Sequence, residues 1–216
     1  MTESREDYLK AIFKLAEQES EVSNKTLSNY LHIAPASVSE MLKKLEAEGY
    51  VDLQGRDICL TKTGASIAKN ILTKHRLWET FLLRHLDYNW SEVHEIAEHL
   101  EHITDEMLKD RLNNFLAYPT HCPHGAVIYE NVDHPMNVKK CPLSHCEVGS
   151  HGKIVKVDDQ RHLLAYLDRI HVELGMEFTV LGFDEFDGAI HLRLANNEEV
   201  AISSKALRNI YVKLSS

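Results

Sequence analysis

Between Tyr118 and about Gly152 the chain loses every apolar period, and this gap constrains the fold more than any single motif. Before it, apolar residues recur three and four positions apart, the spacing of helix faces. After it they alternate, the spacing of half-buried strands. A chain of 216 residues divided in this way has to be a helical part joined to a small β part, with the gap as a tether between them.

The helical part opens with SREDYLKAIFKLAEQES, whose apolar residues at 8, 9, 12, 13, 15 and 16 form one stripe, with Ser4 as N-cap. SNKTLSNYLHI is a short second helix. APASVSEMLKKLEAEGYV is a turn and a third helix, starting near Pro35 or Ser37 and ended by Gly49. YVDLQGRDICLT is a hairpin turning at Gln-Gly-Arg-Asp. Helix, short helix, turn, helix, hairpin is the order of a winged helix-turn-helix. A long helix follows over KTGASIAKNILTKHRLWETFLLRHL, then a helix capped by Ser91, then DEMLKDRLNNFL. Beyond the gap, GKIVKV, EFTVLGFD, AIHLRLA, EEVAIS and IYVKL alternate as strands, with RHLLAYLDRI as a helix and Asn196-Asn197 as a turn. That number of short strands suits a small barrel.

A winged helix-turn-helix presents the early residues of its third helix to base edges and its cations to phosphate. Here those are Ser37, Ser39, Lys43 and Lys44, with Arg56 at the hairpin tip; Glu40 among them opposes phosphate. The net charge of −9 argues against binding nucleic acid by bulk attraction. The first 75 residues nevertheless carry ten Lys/Arg against eleven Asp/Glu, so the acid lies elsewhere. No apolar run approaches the roughly 20 residues that span a bilayer, and MTESREDYLK is too charged for a secretory signal. The expectation is a cytoplasmic protein without a membrane partner. Its four cysteines are then thiols or metal ligands rather than disulfides.

Most of the fourteen histidines lie between residues 75 and 162, a bias that points to metal. In VHEIAEHLEH, residues 93–102, a helical turn of about 100° per residue puts His94, Glu98, Glu101 and His102 within one arc, while Glu95 and His99 point elsewhere. His75 and Glu79 form a second i,i+4 pair on the preceding helix. Either pair alone reads as a solvated surface pair; two on successive apolar faces favour a metal site. The zinc-protease motif fails because Glu98 stands where its second histidine would be. A ferritin-like oxidase would need two Glu-x-x-His motifs that the helices do not supply. Cys141, His145, Cys146 and His151 have the makings of a zinc site or an oxidation sensor, but their spacing fits a solvated loop with incidental thiols better.

In its order of modules, its EDYL start, HRLWE, VHEIAEHLEH and CPHG, the chain resembles the DtxR/MntR metal-dependent repressors, in particular their three-domain streptococcal-type branch, over essentially its whole length. The resemblance implies a mainly α fold with a small β part. It comprises a winged helix-turn-helix over 1–72, a helical dimerisation and metal-binding domain over 73–140, and a tether with a FeoA-type, Src-homology-3-like barrel over 141–216. It also implies two metal sites: a primary one of Asp7, Glu98, Glu101 and His102 with Cys122 as an extra ligand, and an ancillary one of His75, Glu79 and His94 completed by Asp158 or Asp159. Iron-type members carry Met where this chain has Asp7 and Cys where it has Glu98; harder oxygen ligands favour Mn²⁺, with Fe²⁺ or Zn²⁺ left open by Cys122. Bacillus-type manganese members carry a second carboxylate where this chain has Lys10, so two separated sites fit better than a paired-metal cluster. The implied protein is a homodimer that binds palindromic operator DNA and represses manganese or iron uptake genes, with no enzymatic activity and no small-molecule substrate. The alternatives are a winged-helix regulator that senses an organic ligand, and a Zn²⁺- or Fe²⁺-binding regulator or metalloenzyme.

Overall fold

Tyr8, Leu9, Ile12 and Leu15 put one stripe of the first helix, α1 (Glu3–Gln18), into a core shared with Leu27, Val38, Leu42, Leu45 and Ile58. The structure, a computed structural model, describes residues 1–18, 21–90, 92–132 and 140–215. The Thr2 carbonyl accepts the amides of Arg5 and Glu6, so α1 begins ahead of Ser4, the expected cap. Helix α2 (Asn24–Leu31) is capped by Ser23, whose Oγ accepts the Thr26 amide at 3.1 Å. Helix α3 (Pro35–Ala47) starts on Pro35, whose missing N–H costs nothing there. Strands β1 (Val51–Gln54) and β2 (Asp57–Leu60) pair antiparallel from Val51↔Leu60 to Gln54↔Asp57, with Gly55 at φ +69° in the turn. This is the expected winged helix-turn-helix.

Helix α4 (Lys62–His85) is the long helix read from the sequence. Packing divides the chain into two compact units: residues 1–75 with 99–105, and 76–98 with 106–216. The first therefore holds the winged helix-turn-helix, the start of α4 and the end of α5 (Val93–Ile103). Ser91, expected to cap α5, lies outside the described residues.

The second unit continues with α6 (Glu106–Phe115). Residues 118–132 then depart from a tether. His121 and Val127 form a bridge, the Cys122 amide donates to the Ala126 carbonyl, the Ile128 amide donates to Thr120, and Cys122, His124 and Ile128 are buried. These bonds pin the segment without any apolar period. Gly125 (φ +78°) comes so close to the backbone of Val155 and Lys156 that a Cβ would meet the Val155 carbonyl oxygen at 2.1 Å.

The C-terminal part carries β3 (Cys141–Pro142), β4 (His151–Val157), helix α7 (Arg161–Arg169), β5 (Glu177–Phe183), β6 (Ile190–Leu194), β7 (Glu199–Ile202) and β8 (Ile210–Leu214). The six strands form one antiparallel sheet in the order β3-β8-β4-β5-β6-β7. Register shifts between Ile154 and Lys156 and between Val180 and Gly182 bend it. Ile154, Leu164, Leu167, Ile190, Leu192, Ile210 and Val212 fill its core together with the buried Cys146, and Cys141 packs against it from the border. Among the described residues Cys141, His145, Cys146 and His151 do not come together as a set of metal donors. No described helix is long and apolar enough to cross a membrane.

One contact tests the first unit. A Cβ on Gly64, at the start of α4, would lie 2.1 Å from the Tyr50 carbonyl oxygen. That oxygen already accepts the Thr61 amide. We expect Gly64→Ala to destabilise the unit by about 1–3 kcal/mol through forced backbone movement, read as a lower urea midpoint by circular dichroism.

Candidate metal centre

Each unit holds a set of metal-donor side chains. In the first, Asp7 on α1 and Glu101 and His102 on α5 converge. Helix periodicity puts Glu101 and His102 one turn after Glu98, on the arc read from the sequence. His102 Nε2 lies 3.1 Å from Asp7 Oδ1 and 3.5 Å from Glu101 Oε1. Its other ring nitrogen, Nδ1, lies 2.7 Å from Glu6 Oε2. A carboxylate on Nδ1 fixes the ring and its tautomer so that Nε2 is left as the donor, the usual support of a metal-binding histidine. Glu101 has no exposed surface. His75 Nδ1 lies 2.5 Å from its Oε2, and the Lys10 ammonium 2.5 Å from its Oε1. The buried His75 ring on α4 thus has a carboxylate partner.

In the second unit, Glu79 on α4 gathers the histidines. His94 Nδ1 lies 3.5 Å from Glu79 Oε1 and 3.9 Å from Asp159 Oδ2. His124 Nδ1 lies 3.1 Å from the same Glu79 oxygen. Glu79, Cys122 and His124 form a buried set of three donors. Of the two carboxylates expected to complete the ancillary site, Asp159 is the one facing His94. Asp158 is buried, 3.9 Å from the Lys156 ammonium, with its amide on the Asn209 carbonyl. Cys122, expected with Asp7, shares its set with Glu79 and His124.

These sets fit a cation. His124 Nδ1 is buried without a properly directed hydrogen bond even though a carboxylate oxygen is 3.1 Å away, while Nε2 is 3.3 Å from the Trp90 carbonyl. A buried ring nitrogen left unsatisfied between a thiol and a carboxylate is the condition that a metal ion relieves. Burial pulls the His124 pKa down, but Glu79 and Cys122 outweigh it and hold the ring well above its ordinary value. Burial pushes the Cys122 thiol up, with Glu79 adding to the effect. An ion bound there has to displace these protons.

His124 and Glu6 were not read from the sequence. His124 belongs to the quoted CPHG, two residues after Cys122, and the turn at Gly125 brings both side chains to Glu79. Glu6 adjoins Asp7, and the two carboxylates reach opposite nitrogens of one ring.

On α3, Ser37, Ser39, Lys43 and Lys44 are all exposed, as is Arg56 on the hairpin. Ser39 Oγ donates to the Pro35 carbonyl at 3.0 Å and accepts from Asn24 Nδ2 at 2.9 Å. Lys44 Nζ lies 2.8 Å from Glu40 Oε1, which offsets the carboxylate that opposed phosphate. Asn24, Ser39, Lys43 and Arg56 line a groove of ≈ 670 Å³ between helix and hairpin.

Known proteins match this arrangement region by region. Residues 1–57 match the N-terminal DNA-binding domain of iron-dependent repressors, 61–130 their metal-binding and dimerisation domain, and 141–214 the FeoA domain. An uncharacterised helix-turn-helix transcriptional regulator of Methanocaldococcus jannaschii is 35% identical over 118 residues, 54% of this chain and 94% of that protein. A manganese-dependent transcriptional repressor solved in complex with manganese superposes with a TM-score of 0.89 at 32% identity, covering 98% of this chain and 100% of the other. The manganese regulator SloR superposes with a TM-score of 0.82 at 34% identity, with both chains fully covered.

The first set has a pH signature. Burial lowers the His102 pKa, but Glu6, Glu101 and Asp7 together raise it above the ordinary 6.5. A raised folded-state pKa contributes stability that is fully present below 6.5 and is lost as pH rises through the higher folded value. In chelator, we expect the urea midpoint to fall as pH rises from about 6.5 toward 8, and His102→Gln to flatten that slope. An unchanged slope in the variant would show that the ring does not carry this linkage.

Proposed function

The chain belongs to the DtxR/MntR family of metal-dependent, DNA-binding transcriptional repressors, and we propose that it represses its target genes as a homodimer when Mn²⁺ is sufficient. One observation carries this reading: Asp7 Oδ1, Glu101 Oε1 and His102 Nε2 converge from α1 and α5. Two carboxylates and one imidazole suit Mn²⁺ over softer ions, and Glu98, one turn before His102, supplies a further oxygen from the same helix. The similar repressor solved with manganese supports the same choice.

A bound divalent ion supplies a positive centre that carboxylates and an imidazole share. The chain's own residues turn that into control of DNA. Asp7 lies on α1, whose apolar stripe packs with α2 and α3 in one core. Holding Asp7 against His102 therefore also holds the recognition helix. A dimer reads two half-sites about 34 Å apart, so the orientation of that helix decides affinity. Ser37 and Ser39 approach the bases, while Lys43, Lys44 and Arg56 contact phosphate. Helix α6 leaves Met107, Leu108 and Phe115 exposed, which supports its use in pairing two copies. A cytoplasmic location agrees with four cysteines that are all free thiols.

The second set is softer. Cys122 and His124 beside Glu79, with His94 and Asp159 adjoining, offer sulfur and nitrogen, which favours Fe²⁺ or Zn²⁺ there.

The test is selection of duplexes from a random pool by the purified chain, with Mn²⁺ or with chelator. We expect a palindrome to be recovered with Mn²⁺, bound about 5–150-fold more tightly than in chelator, the range of about 1–3 kcal/mol of coupling. Glu98→Ala and His102→Ala should fold and lose that activation. Equal binding in chelator would sink the reading. On the selected duplex, Lys43→Ala and Arg56→Ala should each weaken binding and lower the salt dependence by about one unit of slope.

A further inference from the structure

Lys10 has no place in either donor set, yet it is buried against one of them. It stands one turn after Asp7 on α1 and is only 6% exposed. Its ammonium lies 2.5 Å from Glu101 Oε1 and 3.8 Å from Asp7 Oδ1. Those are the two oxygens that His102 Nε2 faces, at 3.5 and 3.1 Å. The ammonium therefore contacts two of the three atoms that converge on the centre. Glu101 cannot serve both cations by turning its carboxylate, because His75 holds the other oxygen at 2.5 Å.

A plain structural bridge between α1 and the end of α5 would also bury a lysine against a glutamate. It would not need the oxygen that faces Asp7 and His102. A divalent ion that shared that oxygen with an ammonium at contact distance would hold two like charges in one low-dielectric pocket, at a cost that weakens both.

We propose that Lys10 is a built-in competitor for the Asp7–Glu101–His102 centre: its ammonium is the counter-ion of Glu101 until a divalent ion replaces it, and it thereby sets the metal concentration at which the centre fills. This rests on reading that centre as the regulatory metal site. Binding then requires the lysine to leave, and its four-carbon stem lets the head swing toward solvent. Apparent affinity falls by the fraction of time that Glu101 is free. If Lys10 holds the oxygen about 90–99% of the time, the centre binds about 10–100-fold more weakly than its ligands alone allow. The charge is the active feature, so arginine should preserve the effect and a neutral side chain of similar length should remove it.

The experiment titrates the full chain with Mn²⁺, reading free ion by the electron paramagnetic resonance of the aquo ion. The relevant step is defined as the one that His102→Ala abolishes. We expect Lys10→Met to tighten that step about tenfold or more, and Lys10→Arg to leave it within about threefold of the parent. In chelator, Lys10→Met should also melt several degrees lower, because Glu101 loses its counter-ion, and Mn²⁺ should raise its Tm by more than it raises the parent's. Unchanged or weaker Mn²⁺ binding in folded Lys10→Met would overturn the proposal and leave Lys10 a structural bridge. Absence in the parent of any Mn²⁺ step that depends on His102 would instead overturn the reading of the centre. Should Lys10→Met fail to fold, the parent itself decides the matter by amine acetylation read by mass spectrometry. Lys10 is expected to be protected in chelator and labelled in Mn²⁺; equal labelling in both overturns the proposal.

Discussion

A carboxylate with no exposed surface has to be neutralised where it stands, and the first unit is organised around one. Glu101 takes the Lys10 ammonium on one oxygen and the His75 ring on the other, with His102 3.5 Å from the first oxygen. These partners come from α1, α4 and α5 itself. Removing one partner of such a group leaves a buried charge uncompensated, at about 3–5 kcal/mol, so the three segments are bound to a common point. The same charge that fixes them is what a cation can use. Under the proposed reading, structural support and metal response are therefore one task of the residue.

The fold was legible wherever burial follows a period. The stripe of α1, the inward Val38, Leu42 and Leu45 of α3, the hairpin and the alternating strands of the sheet all announce themselves in the apolar pattern. Residues 118–132 did not, because what holds them is not apolar repetition. The Val157 amide donates to the His124 carbonyl, the His124 ring stacks on Trp90 at 5.5 Å, and Gly125 lies against the β4 backbone. Each is a single contact made by a particular residue, and a single contact leaves no period to detect.

The donors show the same limit in a sharper form. Glu98, Glu101 and His102 share a helix, so their common arc follows from 3.6 residues per turn. Asp7 lies 95 positions from His102, and nothing local in the sequence joins them; only the resemblance of the whole chain did. The sequence paired His75 with Glu79 four residues on, but its Nδ1 meets Glu101, a contact that depends on how two helices pack. Lys10 stood out only as a position where a carboxylate was missing. Its charge acquires a meaning once Glu101 Oε1 is seen to lie between it and His102.

The two donor sets differ in more than ligand hardness. Glu79, Cys122 and His124 are all nearly inaccessible, and burial and their mutual contacts push the Cys122 thiol and the His124 ring above their ordinary pKa values. An ion entering there releases protons and in return satisfies a ring nitrogen that has no directed partner. The Asp7 set is open at Asp7, whose side chain is 38% exposed, and Lys10 already supplies part of the charge that an ion would bring. Less is gained there per ion, and solvent has access. Under the proposed reading the regulatory ion belongs at this second kind of site, since only an ion that leaves when its concentration falls can report the fall.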